Sequence, residues 1–532
     1  MLGRLLCGPW EDLRLCETLL SPIWPRTELV RRTPLYDPTA RLRPYNQARV
    51  CYDTSRFEMY IDSHSHIEMA DFDADREAAI GRALDGGVEI IVDVGDGDVS
   101  RDSHAAAFRL AEQYDFIYTT VGVHPHEARL LDDTLYARLA DLASHPKVIA
   151  WGEIGLDYHY DNSPRETQRA AFRRQLRMAR DRKLPAVIHT REAEDDTLEI
   201  LREEWKGSRL PGIIHCFTGS RRLAEEAVKL GFYISLSGVI TFKSAGDLRD
   251  TVRGLPIEKL LIETDSPFLT PEPHRGKRNE PAYVVEVARR IAELRNLTAE
   301  DVGRITSVNF KRLFRLGDWK QPDTSKQRTV VYQIRDSLYV NLTNRCTSLC
   351  AFCTRIDDPV ASGYYLGLSE EQEPSAAEVI SAIGEPARYK EVVFCGYGEP
   401  TIKLEELKEV ARWVKSRGGR TRLDTIGHGS LLHGRDIAPE LAGAIDTVSM
   451  SLNAPTREQY EKIVRSDWPD RAFDAALDFA RSASSNGIKV IMSVVRLPTI
   501  DVDQCRLIAE QTGAEFRIRE LVGMTGTEFN QR

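Results

Sequence analysis

The chain has 532 residues, a formal net charge of −9, 42% hydrophobic and 29% charged residues. This length exceeds one ordinary domain and favours two globular domains plus an extension. The negative net charge is not typical of a protein that binds nucleic acid over its whole surface. Any nucleic-acid binding must therefore rely on a local basic patch or on metals. The absence of an apolar run near the length of a membrane span argues against a membrane partner. Nine cysteines, three of them within Cys346–Cys353, indicate ligation rather than a disulfide framework, and a cytoplasmic localisation is expected.

Residues 1–58 differ in composition from the rest of the chain. They contain many Arg and no Lys, and scattered prolines interrupt any long helix. The apolar run Leu5–Trp10 is shorter than the core of a signal peptide. We expect a weakly ordered N-terminal extension, and because Met59 directly precedes the first strand, an over-extended start site is one explanation.

Strand-like and helix-like segments alternate over residues 59–316. The candidate strands are Tyr60–Asp62, Ile90–Val94, Ile117–Val123, Val148–Gly152, Ala186–His189, Gly212–His215, Tyr233–Leu236 and Leu260–Glu263. Two closing helices are predicted over Tyr283–Leu294 and Ala299–Phe314. Eight β-α alternations in a segment of this size predict an α/β fold, a (β/α)₈ TIM barrel.

Residues 317–329 are predicted to be a linker, because the segment is polar and contains a proline. A second α/β domain is predicted over residues 330–532. Its first strands are expected at Leu338–Thr343 and Glu391–Phe394.

Metal-binding residue types stand at the ends of five predicted strands of the first domain. On a strand, His64 and His66 share one face, and imidazole is a good zinc ligand, although such a pair alone also occurs on solvated strands. In a (β/α)₈ barrel the active site lies at the carboxyl ends of the strands. Four imidazoles and two carboxylates suit two divalent metals with one bridging carboxylate. The candidate set is His64, His66, Glu153, His189, His215 and Asp265.

Seven segments spanning about Met59–Phe314 resemble the TatD-type metal-dependent deoxyribonucleases of the amidohydrolase superfamily. They are IDSHSHIE, VGVHPHEA, WGEIGLDYH, VIHTRE, IIHCFTGS, LIETDSPFL and HRGKRNEP. The resemblance implies two Mg, Mn or Zn ions, one held by His64, His66 and Asp265 and the other by His189 and His215. It further implies that Glu153 bridges the ions and that Asp265 orients or deprotonates the attacking water.

The activity implied by the resemblance is hydrolysis of DNA phosphodiesters, as a 3′-5′ exonuclease on single strands. An alternative is hydrolysis of a small molecule or nucleotide, because the same ligand set serves amides, esters and phosphoesters. Candidate phosphate contacts are Arg191 and the loop cations Arg275, Lys277 and Arg278, although that loop is equally compatible with a solvated surface. His124 and His126 are expected to contact substrate or to support the ligands rather than to bind metal.

Three cysteines at C-x3-C-x2-C spacing open the second domain: Cys346, Cys350 and Cys353. They can bind three irons of a [4Fe-4S] cluster and leave the fourth iron open. A zinc site would need a fourth ligand, and Cys395 and Cys505 are distant in the sequence.

With Phe352 before the third cysteine and the glycine-rich turn Cys395–Pro400 after the next strand, this domain resembles the radical S-adenosylmethionine enzymes. The resemblance implies a partial (β/α)₆ barrel that binds S-adenosylmethionine. The residues implied to contact this cofactor are Phe352, Gly396, Gly398, Glu399, Ser451 and Asn453.

The whole arrangement resembles the TatD-linked radical S-adenosylmethionine proteins. This implies reductive cleavage of the cofactor by an electron donor such as flavodoxin or ferredoxin, on a substrate that the sequence leaves open. The alternative is that the second domain is a regulatory module that senses redox state or a metabolite.

Overall fold

The structure, a computed structural model, describes residues 60–95, 102–316, 328–353 and 359–519. The predicted extension over residues 1–58 and most of the predicted linker lie outside these ranges. Among the described residues, no helix combines the length and the apolar character needed to cross a membrane.

The first described sheet has eight strands, and each pairs in parallel with the next strand along the chain. Two backbone hydrogen bonds join the first strand to the segment after the eighth, from the Asp265 amide to the His64 carbonyl (2.9 Å) and from the His66 amide to the Ser266 carbonyl (2.8 Å). The predicted TIM barrel is confirmed. The strands are β1 (Tyr60–Ser65), β2 (Val88–Val94), β3 (Ile117–Val121), β4 (Val148–Asp157), β5 (Ala186–Arg191), β6 (Gly212–Ile214), β7 (Phe232–Leu236) and β8 (Leu260–Ile262).

Helices surround this sheet, and the last of them covers the seam between the first and last strands. Phe310 of this helix shares a buried apolar cluster with Ile61 of β1 and Leu261 of β8. A capping box formed by Thr298 and Asp301 begins the same helix. The helices are α1 (Arg76–Asp85), α2 (Ser103–Gln113), α3 (Asp133–Leu142), α4 (Arg165–Arg182), α5 (Glu194–Glu204), α6 (Arg221–Lys229), α7 (Gly246–Gly254), α8 (Val284–Arg295) and α9 (Ala299–Phe314).

The second large sheet is open and contains six parallel strands plus one antiparallel edge strand. In chain order its strands are β9 (Val331–Ile334), β10 (Ser337–Val340), β13 (Val392–Phe394), β14 (Thr421–Thr425), β15 (Thr447–Ser451), β16 (Lys489–Val495) and β17 (Glu515–Arg519). Strand β9 pairs antiparallel with β10, and the other strands follow β10 in chain order to β17. The predicted partial (β/α)₆ barrel is confirmed, and β9 is an addition to it.

Its helices are α10 (Ala376–Ile383), α11 (Leu404–Ser416), α12 (Gly429–His433), α13 (Ala438–Leu441), α14 (Arg457–Val464), α15 (Ala472–Ser485) and α16 (Val502–Gln511). A short hairpin, β11 (Val360–Ala361) and β12 (Tyr364–Tyr365), contacts both α9 and the glycine-rich turn. Arg304 of α9 donates to the Ser362 carbonyl at 2.8 Å, and the Tyr397 hydroxyl donates to the Val360 carbonyl at 2.7 Å.

Candidate metal centre and cluster motif

The six candidate metal ligands meet at the carboxyl ends of the first barrel's strands. Parallel strands bring these ends to one edge of the sheet, so residues far apart in the sequence converge there. His64 is fully buried, and His66, Glu153 and His215 are at most 5% exposed. The side chain of Asp265 is 14% exposed, so its carboxylate faces the mouth of the centre.

Glu153 lies in the middle of the group, and its two carboxylate oxygens face different histidines. Oε2 is 3.3 Å from His64 Nε2. Oε1 is 2.7 Å from His189 Nδ1 and 2.9 Å from His215 Nε2. A carboxylate whose oxygens serve two separate sets of imidazoles has the geometry of a bridging ligand.

Asp265 completes the set on the side of β1. Its Oδ1 is 3.4 Å from His66 Nε2 and 3.9 Å from His64 Nε2, and the two Nε2 atoms are 3.3 Å apart. The buried Nδ1 of His64 has no hydrogen-bond partner. Convergent ring nitrogens and carboxylates of this kind form the donor set that divalent cations prefer, so the residues fit the implied metals.

The charges of the centre are mutually compensated. Burial by itself raises the pKa of Glu153, but His215, His124 and His189 lower it well below its usual range. Burial lowers the pKa of His66, yet the hydrogen bond to Asp265 raises it to about 10. Burial also dominates at His124, whose pKa is lowered to about 4.

Asp157 is a member of the centre that was not among the sequence-predicted residues. It is 1% exposed, and its Oδ2 is 3.0 Å from His126 Nε2 and 3.2 Å from His189 Nε2. A buried carboxylate on the far nitrogen of a ligating histidine fixes the orientation and tautomer of the ring. The sequence contained a sign of this role, because residues 153 and 157 lie on the same face of β4.

Glu263 plays the corresponding part for His215. Its Oε1 is 3.2 Å from His215 Nδ1 and accepts the Cys216 amide at 2.6 Å. The group is fully buried. His189 and His215 therefore each carry a second carboxylate contact beyond Glu153.

Two of the three predicted loop cations, Arg275 and Arg278, make contacts with other parts of the barrel. Arg278 pairs with Asp75 at 2.6 Å, and Arg275 donates to the Thr270 carbonyl at 2.9 Å while its guanidinium lies 4.0 Å from the centre of the Phe242 ring. Lys277 and Arg191 are the other predicted phosphate contacts, and the Arg191 guanidinium lies over the Tyr160 ring at 4.8 Å. Arg275 and Arg278 thus have observed roles in holding this loop.

The three cysteines of the cluster motif follow β10 and are partly exposed. Backbone hydrogen bonds fasten this loop to residues 463–467, among them Ala351 amide to Ile463 carbonyl (2.8 Å) and Asp467 amide to Thr347 carbonyl (3.0 Å). Phe352 and Cys350 pack against the apolar core of the second domain. A loop fixed by its backbone can present three thiols to a cluster.

The glycine-rich turn packs tightly against the beginning of the cysteine loop. A Cβ at Gly398 would lie 2.3 Å from the Thr343 carbonyl oxygen and 2.4 Å from that of Arg345. A Cβ at Gly396 would lie 2.1 Å from Asn341 Oδ1, a buried atom without a hydrogen-bond partner. Glycine is therefore required at Gly398, where a Cβ would meet backbone, whereas a Cβ at Gly396 would require the Asn341 side chain to move.

Glu399 is buried and accepts several hydrogen bonds from within the second domain. It is 2% exposed, and its carboxylate accepts hydrogen bonds from the Thr401 hydroxyl (2.6 Å), the Thr425 hydroxyl (2.8 Å) and the Ile426 amide (2.9 Å). These contacts join the glycine-rich turn to the end of β14. The resemblance implies that Glu399 also contacts S-adenosylmethionine, and that contact stays a prediction.

The two other predicted cofactor contacts lie at the end of β15. Ser451 Oγ accepts a hydrogen bond from Arg519 at 2.9 Å. Asn453 has a left-handed backbone (φ 59°), is 2% exposed, and its Oδ1 has no hydrogen-bond partner. A buried acceptor without a donor costs free energy unless a ligand supplies one, so Asn453 fits a bound polar cofactor.

Comparison with known proteins matches two family models to this chain. The TatD related DNase model covers residues 61–315, and the Radical SAM superfamily model covers residues 340–510. The chain is 46% identical over 258 residues to the uncharacterized metal-dependent hydrolase YabD of Bacillus subtilis, a match of 48% of this chain and 100% of that protein.

Two further matches cover the same part of the chain. The chain is 37% identical over 256 residues to the 3′-5′ ssDNA/RNA exonuclease TatD of Shigella flexneri, a match of 47% of this chain and 96% of that protein. Among solved structures, the TatD homologue YjjV of Escherichia coli is 31% identical with a TM-score of 0.46, covering 48% of this chain and 98% of that one.

Proposed function

Because the chain belongs to the TatD-related family of metal-dependent hydrolases and also carries a radical S-adenosylmethionine domain, we propose that it is a two-metal phosphodiester hydrolase joined to a radical enzyme. The hydrolase is assigned to residues 59–316 and the radical domain to residues 330–532. The proposed substrate of the hydrolase is single-stranded DNA, cleaved from the 3′ end.

The observation that carries this proposal is the placement of Glu153. Its Oε2 faces His64 at 3.3 Å, while its Oε1 faces His189 at 2.7 Å and His215 at 2.9 Å. One ion would be held by His64, His66 and Asp265, and the other by His189 and His215, with Glu153 shared. When bound, such ions stabilise the attacking and leaving oxygens of an in-line displacement.

The protein's own groups supply the positioning around this centre. Asp265 reaches the mouth of the centre and can orient the attacking water as its base. Asp157 and Glu263 hold the rings of His189 and His215 in one orientation.

The test uses the full-length chain with Mg²⁺, Mn²⁺ or Zn²⁺ and single-stranded DNA labelled at either end. We expect release of mononucleotides from the 3′ end, and a loss of at least about 10³-fold in His64→Ala and Asp265→Asn, the scale of losing a transition-state stabiliser. His145→Ala, a histidine in the loop before β4, is the matched control. Unchanged phosphodiesterase activity in both site variants would show that this centre does not carry the activity.

Substrate choice is tested in the same assay. RNA and nucleotide phosphoesters are compared with DNA at equal concentration, because one ligand set serves several ester substrates. Faster hydrolysis of a nucleotide or other small ester than of any oligonucleotide would replace the nuclease assignment by the small-molecule alternative.

For the second domain we propose a [4Fe-4S] cluster held by Cys346, Cys350 and Cys353. The proposed contacts of S-adenosylmethionine are Phe352, Gly396, Gly398, Glu399, Ser451 and Asn453. The support is the backbone-fixed cysteine loop against a turn in which Gly398 leaves no room for a Cβ, together with the unpartnered acceptor of Asn453 after β15. When bound, the cluster supplies the electron that cleaves the cofactor, delivered by a donor such as flavodoxin or ferredoxin.

Anaerobic reconstitution with a reductant tests this part. We expect 5′-deoxyadenosine to form from S-adenosylmethionine. Failure to form it with any electron donor, while the cluster and cofactor are bound, would favour the sensing module instead.

A further inference from the structure

His124 follows β3 at the start of a short 3₁₀ turn, Pro125–Leu130, and its ring has a defined tautomer. Nδ1 accepts a hydrogen bond from the backbone amide of His126 at 3.2 Å. An imidazole nitrogen that accepts a hydrogen bond carries no proton, so the ring proton is assigned to Nε2 and the ring is neutral.

This tautomer argues that His124 is not a metal ligand. His124, Glu153 and His189 together form a group whose atoms are close enough to hold an ion. A ligating nitrogen must offer a lone pair, whereas the Nε2 of His124 carries its hydrogen. His124 is therefore a hydrogen-bond donor at the edge of the centre.

The turn that carries His124 is held rigidly. His126 Nε2 donates to the buried Asp157 Oδ2 at 3.0 Å, and the Ser163 hydroxyl donates to the His126 carbonyl at 2.7 Å. Asp157 is itself fixed, because its Oδ1 accepts the amides of His159 and Tyr160 at 3.0 and 2.9 Å. The amide that sets the tautomer of His124 thus cannot swing away without breaking this network.

The Nε2 of His124 lies beside Oε1 of Glu153, whereas the other oxygen, Oε2, faces His64 on β1. His124 Nε2 is 3.5 Å from Oε1, a long and weak contact, whereas Oε2 faces His64, the neighbour of His66 and Asp265. In an in-line displacement the attacking and leaving oxygens lie on opposite sides of phosphorus. In the proposed reaction Asp265 lies at the attacking water, and a donor beside Oε1, the oxygen that does not face His64, is then available to the leaving oxygen.

Resting on the proposed phosphodiester hydrolysis, we propose that His124 is a catalytic hydrogen-bond donor to the leaving-group oxygen, with Asp157 as its positioning residue through His126. As the bond from water oxygen to phosphorus forms and the bond to the leaving oxygen breaks, the Nε2–H of His124 stabilises the charge that develops on the leaving oxygen. The water proton goes to Asp265 and then to solvent, the leaving oxygen takes a proton from solvent, and His124 keeps its own.

The test uses the full-length chain with Mn²⁺ and aryl esters of thymidine 5′-phosphate whose phenols span a range of pKa. His124→Ala should lower kcat by about 10² to 10³-fold for the most basic leaving group, and less as the phenol becomes more acidic. His124→Gln should recover part of the rate, because its amide N–H can replace a neutral donor but neither a proton donor nor an imidazole ligand. The control His145→Ala should match the wild type.

Three results would overturn this role. The first is loss of a divalent ion per chain in His124→Ala, which would make the residue a ligand. The second is an equal loss of rate for every phenol, and the third is a Gln variant no faster than the Ala variant. A thermal unfolding transition like that of the wild type reports that the barrel of each variant is folded. A wild-type chain that cleaves none of these diesters contradicts the proposed function itself, while a wild type that does so leaves only His124 in question.

Discussion

The two centres of this chain are built in opposite ways. In the first barrel, histidines from the ends of three other strands converge on the Glu153 carboxylate, at 2.7 Å for His189 Nδ1, 2.9 Å for His215 Nε2 and 3.3 Å for His64 Nε2. In the second domain, a single loop carries the three cysteines, and its backbone leaves no room for a Cβ at Gly398 of the neighbouring turn. The first centre therefore depends on the identity of individual side chains, and the second on backbone shape around a few thiols.

The largest expected effect separates the centres completely. Cys350→Ser should abolish the cluster and the formation of 5′-deoxyadenosine, because only two thiolates would remain in the loop. Hydrolysis by the first barrel should be unchanged. Iron and acid-labile sulfide analysis of anaerobically purified protein provides the measurement, with the buried Cys505 of α16 replaced by Ser as the matched control. A full cluster in the Cys350 variant would mean that another group ligates the iron.

The next effect concerns the shared carboxylate. Glu153→Gln should lose at least one divalent ion and lower phosphodiesterase activity by about 10³-fold or more, because a neutral amide cannot serve both sets of histidines. Cleavage of S-adenosylmethionine should continue. Glu203→Gln, at an exposed glutamate of α5, is the control. An active variant that retains both ions would remove Glu153 from the bridging position.

A smaller effect is expected one layer out from the ligands. Asp157→Asn keeps the shape of the side chain but removes a charge that accepts from both His126 and His189. We expect metal affinity or activity to fall by about 10 to 100-fold. Metal titration followed by activity provides the measurement. An unchanged affinity and rate would mean that the packing of β4 and β5 alone orients His189.

The smallest effect tests the role of backbone shape in the second domain. Gly398→Ala would place a Cβ 2.3 Å from the Thr343 carbonyl oxygen, so the turn or the cysteine loop must move. We expect a cost of about 1–3 kcal/mol, seen as weaker S-adenosylmethionine binding in a calorimetric titration. Gly81→Ala in α1, where no heavy atom lies within 4 Å of the new Cβ, is the control. Equal affinities in both variants would contradict the steric argument.

The fold and the six candidate ligands could be predicted from the sequence because parallel strands end at one edge. Once eight strands were placed, Glu153, His189 and His215 had to face the same space as His64 and His66. The alternation of side chains along a strand also places Asp157 on the same face of β4 as Glu153. Asp157 was not predicted as a site residue, because Glu153 alone explained the metal-binding character of this segment.

The partners of charged groups could not be predicted. Arg278 meets Asp75, about two hundred positions away, and only the packed barrel brings them together. Glu399 is similar, because its observed donors Thr425 and Ile426 lie at the end of β14 and directly after it. Tertiary packing decides which donor contacts a given carboxylate, and a local sequence motif carries no information about that packing. The edge strand β9 adjoins the polar linker, and its four residues give too little periodicity to indicate a strand.

The most direct test of two independent centres in one chain is the metal content of anaerobically purified full-length protein. The ligand sets predict about two divalent ions and about four irons with equal labile sulfide per chain. Glu153→Gln should lower only the first number and Cys350→Ser only the second. Iron without labile sulfide, or a loss of both contents in either variant, would contradict this account.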